Sequence, residues 1–197
     1  MKSKLTIIFY SSTGANLQMV RWAEDEAKKM GAEVRLRRVA ELVPMEIIES
    51  NEKMKETYDK MVEIPEVTGE DIEWADALLF SSPTRFGAMA SQMKQFIDTL
   101  GGLWASGKTV NKVTSAMSSA QNPHGGQENT ILNFYTVMYH WGSIVVPAGF
   151  TDESVFKAGG NPYGTSATVD GNGNIDDVEP AVRHQVKRLL EVSEKLA

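Results

Sequence analysis

The sequence predicts an α/β protein in which a parallel sheet carries helices on both faces. Two observations predict it. Short apolar runs alternate with helix-period patterns along the whole chain. And Ala77, Leu78, Leu79 and Phe80 form a run without a polar position, as a strand covered on both faces requires.

The elements come in a regular order. Residues 5–10 read as a first strand and 16–30 as a first helix, closed at Met30-Gly31 because glycine suits the left-handed C-terminal position. Residues 33–39 read as a second strand. A polar, amphipathic stretch from 44 to about 58 reads as helical, and Pro65 and Gly69 break the next segment. Residues 71–74 form a short helix or turn leading into a third strand, 77–82. Residues 91–99 read as a helix with Met93, Phe96 and Ile97 inward. Residues 112–118 are a fourth strand, 127–140 a helix with Ile131, Phe134, Val137 and Met138 on one side, and 144–147 a fifth strand. The last helix, from about 179 to 196, has Val182, Val186, Leu189, Leu190 and Val192 as its core stripe. No linker or internal repeat interrupts this order, so residues 1–197 are expected to form one domain. Two stretches exceed a minimal fold: an extension at about 43–69 and a Gly/Asn/Asp-rich excursion at about 151–177, with a turn at 171–174. Loops of such length are usually functional or lie at interfaces.

The chain has 197 residues, 42% hydrophobic and 23% charged, an ordinary globular composition. No apolar run is long enough to span a bilayer. The run after Met1, Lys2, Ser3 and Lys4 is too short for a signal peptide. There are no cysteines, which excludes disulfides, thiolate metal sites and a cysteine nucleophile and is compatible with the cytoplasm. The net charge of −6 argues against nucleic acid. Arg35, Arg37 and Arg38 are the main basic cluster and read as a solvated strand edge. His124, His140 and His184 lack metal-ligand spacing. Asp170, Asp176 and Asp177 lack the spacing of a calcium loop, and no G-x-S-x-G elbow is present.

In open parallel sheets, ligands bind outside the carboxyl ends of the strands. After the first strand come Ser11, Ser12, Thr13, Gly14, Ala15 and Asn16, a hydroxyl-rich turn into a helix. Backbone N–H groups and the helix N-terminus there make a cradle suited to a terminal monophosphate such as that of FMN. After the third strand come Ser82, Pro83, Thr84, Arg85, Phe86 and Gly87, a loop with a cation and an aromatic between a turn-fixing proline and a glycine open to close approach. After the fourth come Ser118, Ser119, Ala120, Gln121, Asn122, Pro123, His124, Gly125 and Gly126. Three such loops on one edge suit a flat polar heterocycle with a phosphate tail.

The set Pro83-Thr84-Arg85-Phe86-Gly87, Gly101-Gly102-Leu103-Trp104-Ala105-Ser106-Gly107, Gly125-Gly126-Gln127-Glu128 and Asn161-Pro162-Tyr163-Gly164 closely resembles the NAD(P)H:quinone oxidoreductases of the flavodoxin-like superfamily, the WrbA-type proteins. The resemblance covers nearly the whole chain. It implies a flavodoxin-like three-layer sandwich with a five-stranded parallel sheet in the order 2-1-3-4-5. It also implies FMN as cofactor, NADH or NADPH as co-substrate, a quinone as substrate, and a homo-oligomer, tetramer or dimer, with sites at subunit contacts. Carried over by position, residues 11–16 would hold the phosphate, Pro83 through Gly87 would edge the isoalloxazine, and Ser118 through Asn122 with Gly125 would line its other side. His140 would stand near the flavin as the catalytic side chain. Trp104, Thr13 and Phe86 would face the substrate. Where relatives often have Tyr and His, this chain has Thr13 and Ala15, which bears on the nicotinamide contact. A one-electron carrier and a regulatory partner of a repressor are the competing readings. The long extension and the Trp104 segment speak against the first, and no DNA-reading element supports the second.

Overall fold

The computed structural model describes residues 3–170 and 173–196. The central sheet runs β2 (Glu33–Arg38), β1 (Lys4–Phe9), β3 (Ala77–Arg85), β5 (Val113–Ala120), β6 (Ile144–Val145), all parallel. Two short strands join this sheet, and with them set aside the order is the expected 2-1-3-4-5. β4 (Ala88–Met89) folds back antiparallel on β3, and β7 (Ser166–Thr168) pairs in parallel with β5.

Alternate residues of β1 separate the core into two layers. Leu5, Ile7 and Phe9 pack under α1 (Ala15–Lys29) and α9 (Glu179–Leu196), with Val20, Ala23, Val182 and Leu189. Ile8 and Tyr10 face the other way, toward α4 (Gly69–Trp74), α5 (Ser91–Asp98) and α7 (Gln127–His140), with Ile72, Met93 and Phe134. The Phe80 and Phe134 rings lie 5.5 Å apart at the centre of this second layer.

The expected fifth strand is cut short. Val146 N still donates to Thr114 O at 2.8 Å, but Pro147 has no N–H to continue the ladder. The vacated edge of β5 is taken by the excursion, which is not a bare loop. It contains α8 (Glu153–Lys157) and returns as β7 along Ser118, Ser119 and Ala120. Buried Gln185 ties it down: its Nε2 donates to Ser115 Oγ and Ala116 O, and its Oε1 accepts from Thr165 N and Oγ1. Gly171 and Asn172 of the expected turn lie outside the described residues.

The extension holds two helices rather than one, α2 (Met45–Glu49) and α3 (Glu52–Met61). Asn51 restarts the helix by accepting a hydrogen bond from Met54 N at 3.0 Å. Trp104 sits in the short helix α6 (Gly101–Ala105). The arginine cluster is paired: Arg35 and Arg37 reach Asp71 at 2.9 and 3.0 Å, and Arg38 reaches Glu66 at 2.8 Å. Arg35 also lies over the Trp74 ring at 4.1 Å. No described helix is long and apolar enough to cross a membrane.

Candidate active-site cleft

β1, β3 and β5 end side by side, and the loops leaving them frame a cleft of about 1110 Å³. That is somewhat more than the roughly 300–1,000 Å³ of an ordinary small-molecule site. The first loop turns sharply into α1, with Gly14 N donating to Ser11 Oγ at 3.1 Å. No side chain caps α1, so its N-terminal N–H groups remain available to an anion.

Asn16, buried in the first turn of α1, joins all three strand ends. Its Nδ2 donates to Ser81 Oγ at 3.0 Å, and its Oδ1 accepts from Ser119 Oγ at 2.6 Å. Ser118 Oγ donates to Ser82 O at 2.9 Å, and Ser82 Oγ accepts from Ala90 N, closing the hairpin of β3 and β4.

The loop at 84–87 is pinned against the start of α7. Thr84 Oγ1 accepts from Gly87 N at 3.2 Å and from Thr130 Oγ1 at 2.8 Å, while Asn129 Nδ2 donates to Gly87 O at 2.7 Å. Arg85 crosses the cleft mouth, and its Nη2 donates to Ser12 Oγ at 3.0 Å. Phe86 has φ +54°, a left-handed conformation that costs a non-glycine residue free energy. Its side chain is 107% exposed, so packing does not explain the strain. The loop after β5 is braced by Gln127 Nε2, which donates to Asn122 O at 2.9 Å.

Behind the cleft wall, Glu41 Oε1 accepts from Tyr10 OH, Gln92 Nε2, Leu42 N and Val43 N. Burial and the Glu41 carboxylate hold the Tyr10 phenol well above the ordinary tyrosine range. Tyr10 therefore stays a donor and keeps the base of the extension against the cleft.

Most of the expected cofactor residues line the cleft: Ser11, Ser12, Thr13, Ala15, Asn16, Pro83, Thr84, Arg85, Phe86, Ser119, Ala120, Gln121, Asn122 and Gly125. Gly14, Gly87 and Ser118 shape it through the bonds just described. Two expectations fail within this chain. α7 starts at the cleft and runs away for 14 residues, about 20 Å, so His140 is at the far end of the sheet beside β6. Trp104 is there too, its Nε1 donating to His140 O at 2.9 Å, and both are exposed. The sequence reading missed the outer wall. Lys53 and Met54 of α3, with Val169, Asp170 and Gly173 of the excursion, complete the cleft. The unusual length of both insertions was the available signal. The Asp170 carboxylate accepts from Asn174 N and Nδ2. Among the described residues, no three His, Asp or Glu side chains are grouped to hold a metal ion.

The residues present fit a flavin mononucleotide. An uncapped helix N-terminus with three hydroxyl residues meets the needs of a phosphate, and two backbone-lined loops with an exposed aromatic meet those of a flat ring system. Residues 4–155 match the family described as NADPH-dependent FMN reductase. The chain belongs to that family. It is 50% identical to an NAD(P)H dehydrogenase (quinone) of Deinococcus radiodurans, over 98% of this chain and 96% of the relative. It is 37% identical to one from Geotalea uraniireducens, over 98% and 99%. Among solved structures, it superposes on a flavodoxin, WrbA-like protein from Agrobacterium tumefaciens with a TM-score of 0.67 at 18% identity, covering 98% of this chain and 99% of that one. Oxidised flavodoxin 2 from Bacillus cereus gives 0.62 at 11% identity, covering 96% and 99%. The fold is therefore flavodoxin-like.

Proposed function

We propose that this chain is an FMN-dependent NAD(P)H:quinone oxidoreductase of the WrbA type. The observation that carries the reading is the convergence of three strand-end loops on the uncapped N-terminus of α1, in a cleft large enough for a flavin and a second ring. The full-length similarity to quinone dehydrogenases supports the choice of acceptor.

Ser11, Ser12, Thr13 and the N-terminal amides of α1 would hold the phosphate of FMN. Pro83, Thr84, Arg85, Phe86 and Gly87 would edge its ring on one side, and Ser118 through Asn122 with Gly125 on the other. When bound, FMN supplies two-electron transfer between a nicotinamide and a quinone. The chain's own residues position and polarise. Asn16 locks the three strand ends, so the ring-binding loops cannot move independently. Arg85, held by Ser12, would place a positive charge at the mouth, available to stabilise negative charge that develops on a bound ring. Phe86 offers an apolar face to whichever aromatic ring enters. One mouth serving both ring substrates implies alternating occupancy.

His140 and Trp104 can serve a cleft only in another copy of the chain. We read the chain as a homo-oligomer, a tetramer or a dimer, working in the cytoplasm. Exposed Trp104, Tyr139 and the stacked pair Phe150 and Phe156 support a subunit contact.

The test is direct. The purified protein should be yellow, release FMN on denaturation, and, with oxygen excluded, turn over NADH or NADPH catalytically only when a quinone is supplied. Initial rates at several fixed quinone concentrations should give parallel double-reciprocal lines. A colourless protein that binds no added FMN would end the proposal, and intersecting lines would end the shared cleft.

A further inference from the structure

The cleft does not stop at the phosphate loop. Thr13 and Ala15 form a low wall, and behind it lies a second recess of about 720 Å³. Thr13, Ala15, Lys53 and Gly173 line both spaces, so the two adjoin. The charged lining of the recess is mainly cationic. In a chain of net charge −6, the recess is lined by three cations, Arg21, Lys53 and Lys60, against one carboxylate, Glu56. The floor is Thr57, buried and 3.6 Å from the position a Cβ on Gly14 would take.

Two of the cations are held in pairings that a ligand can compete for. Lys60 meets Glu56 at 2.7 Å, with both side chains more than half exposed. Arg21 meets Glu24 at 2.9 Å, but Glu24 is shared with Lys28 at 2.7 Å. The exposed Lys60–Glu56 pair is held weakly, and Arg21, half exposed and sharing its carboxylate, can turn to a phosphate, which accepts more hydrogen bonds and carries more charge. Lys53 stands at the junction, where a positive charge would reduce the repulsion between two phosphate groups in neighbouring spaces.

We propose that this recess seats the phosphorylated adenosine end of the nicotinamide co-substrate, and that the chain therefore prefers the 2′-phosphorylated dinucleotide, NADPH, over NADH. The inference rests on the cleft being the FMN-dependent site above. A dinucleotide whose nicotinamide lies on the ring-binding loops must run its other half out of the cleft. The cationic recess that adjoins the cleft at Lys53 matches an anionic chain that ends in a phosphomonoester. The preference arises because NADH has no group to engage Arg21 and Lys60.

The experiment has two arms. In the first, FMN-loaded protein is titrated calorimetrically with adenosine 2′,5′-bisphosphate, with adenosine 5′-monophosphate and with inorganic phosphate. The bisphosphate should bind at least about tenfold more tightly than either of the others. Arg21→Gln and Lys60→Gln should each remove most of that margin without lowering the melting temperature. In the second, the ratio of kcat/KM for NADPH to that for NADH should fall about tenfold in the same variants, with KM for NADPH carrying the change. Equal affinity for bisphosphate and monophosphate would overturn the proposal, as would inorganic phosphate matching the bisphosphate. Variants that slow NADPH and NADH alike would overturn it as well. If the protein neither holds FMN nor reduces quinones, the reading of the cleft fails instead, and the titration of the protein as purified still decides the recess.

Discussion

Ser119 donates its hydroxyl hydrogen to Asn16 Oδ1 at 2.6 Å, across 103 residues of sequence. Asn16 passes the connection on to Ser81 through its amide nitrogen. The carboxyl ends of β1, β3 and β5 are thus joined by one buried side chain, at the point where the cleft opens. Asn16→Ala should strand both serine hydroxyls in a buried site and cost about 1–3 kcal/mol. For a protein of this size that is a fall of roughly 2–12 °C in melting temperature. Affinity for FMN should fall with it, because the loops after β3 and β5 lose their common anchor. Thermal denaturation and an FMN fluorescence titration check the two effects. A variant that melts normally and binds FMN normally would show that the bridge has no such role.

Phe86 is held in a left-handed backbone with its ring in solvent, an arrangement that packing does not reward. Phe86→Ala keeps the strain and removes the ring. The melting temperature should stay within about 2 °C, since an exposed side chain contributes little to folding. Quinone kcat/KM should drop about three- to tenfold, the value of one aromatic stacking contact. Michaelis kinetics on the FMN-loaded variant measure it. Unchanged kinetics would mean that the ring serves something other than the substrate.

Asp71 joins β2 to α4 through Arg35 and Arg37, and it accepts from Thr68 N at 3.1 Å. Burial pushes its carboxyl up, but the Thr68 N–H and the two guanidinium groups outweigh that and hold it below the ordinary value of 3.8. A carboxyl depressed in the folded state stabilises the fold above its unfolded pKa. That contribution begins to fade as the pH drops below 3.8 and is lost once it passes the folded value. Asp71→Asn should therefore cost about 3 kcal/mol near neutral pH, where it leaves two arginines without their shared partner. The gap between variant and wild type should close in the acid range. Urea denaturation at pH 7 and at successive steps below pH 4 gives the comparison, and a gap that persists unchanged into acid would contradict it.

The sheet order, the two helical layers and the cleft-lining loops could be read from the sequence because each rests on local pattern. Leu5, Ile7 and Phe9 alternate with Ile8 and Tyr10, and Ser, Thr and Gly cluster where strands end. The features that escaped the reading rest on long-range placement. Lys53 is an ordinary charged residue in an amphipathic stretch until α3 is laid beside the tip of the excursion. β7 is three residues long, and its pairing exists only because Pro147 ends β6 early. His140 obeys the same logic in reverse. The resemblance pointed it to the flavin, but α7, whose 14 residues the sequence pattern already marks, starts at the cleft and carries His140 to the far end of the sheet, a placement that follows only once the start of α7 is docked against the loop at 84–87.

Gly126 offers the sharpest separation of cleft geometry from overall stability. It precedes α7 with φ +98°, and a Cβ there would lie 2.9 Å from Gly87 Cα and 3.3 Å from Thr84 Oγ1. Gly126→Ala must therefore push the loop at 84–87 outward or give up the turn. FMN affinity should fall at least about tenfold, as a small displacement of a ring-binding loop is enough to lose a hydrogen bond. Gly31→Ala is the control. Gly31 has a similar φ of +84° but nothing within 4 Å of its Cβ position, at the other end of α1. That variant should cost about 1 kcal/mol in backbone strain and leave FMN binding intact. Equilibrium titration with FMN and thermal denaturation of both variants decide the matter. If both lose FMN equally, the effect is strain in the fold rather than closeness of the two loops.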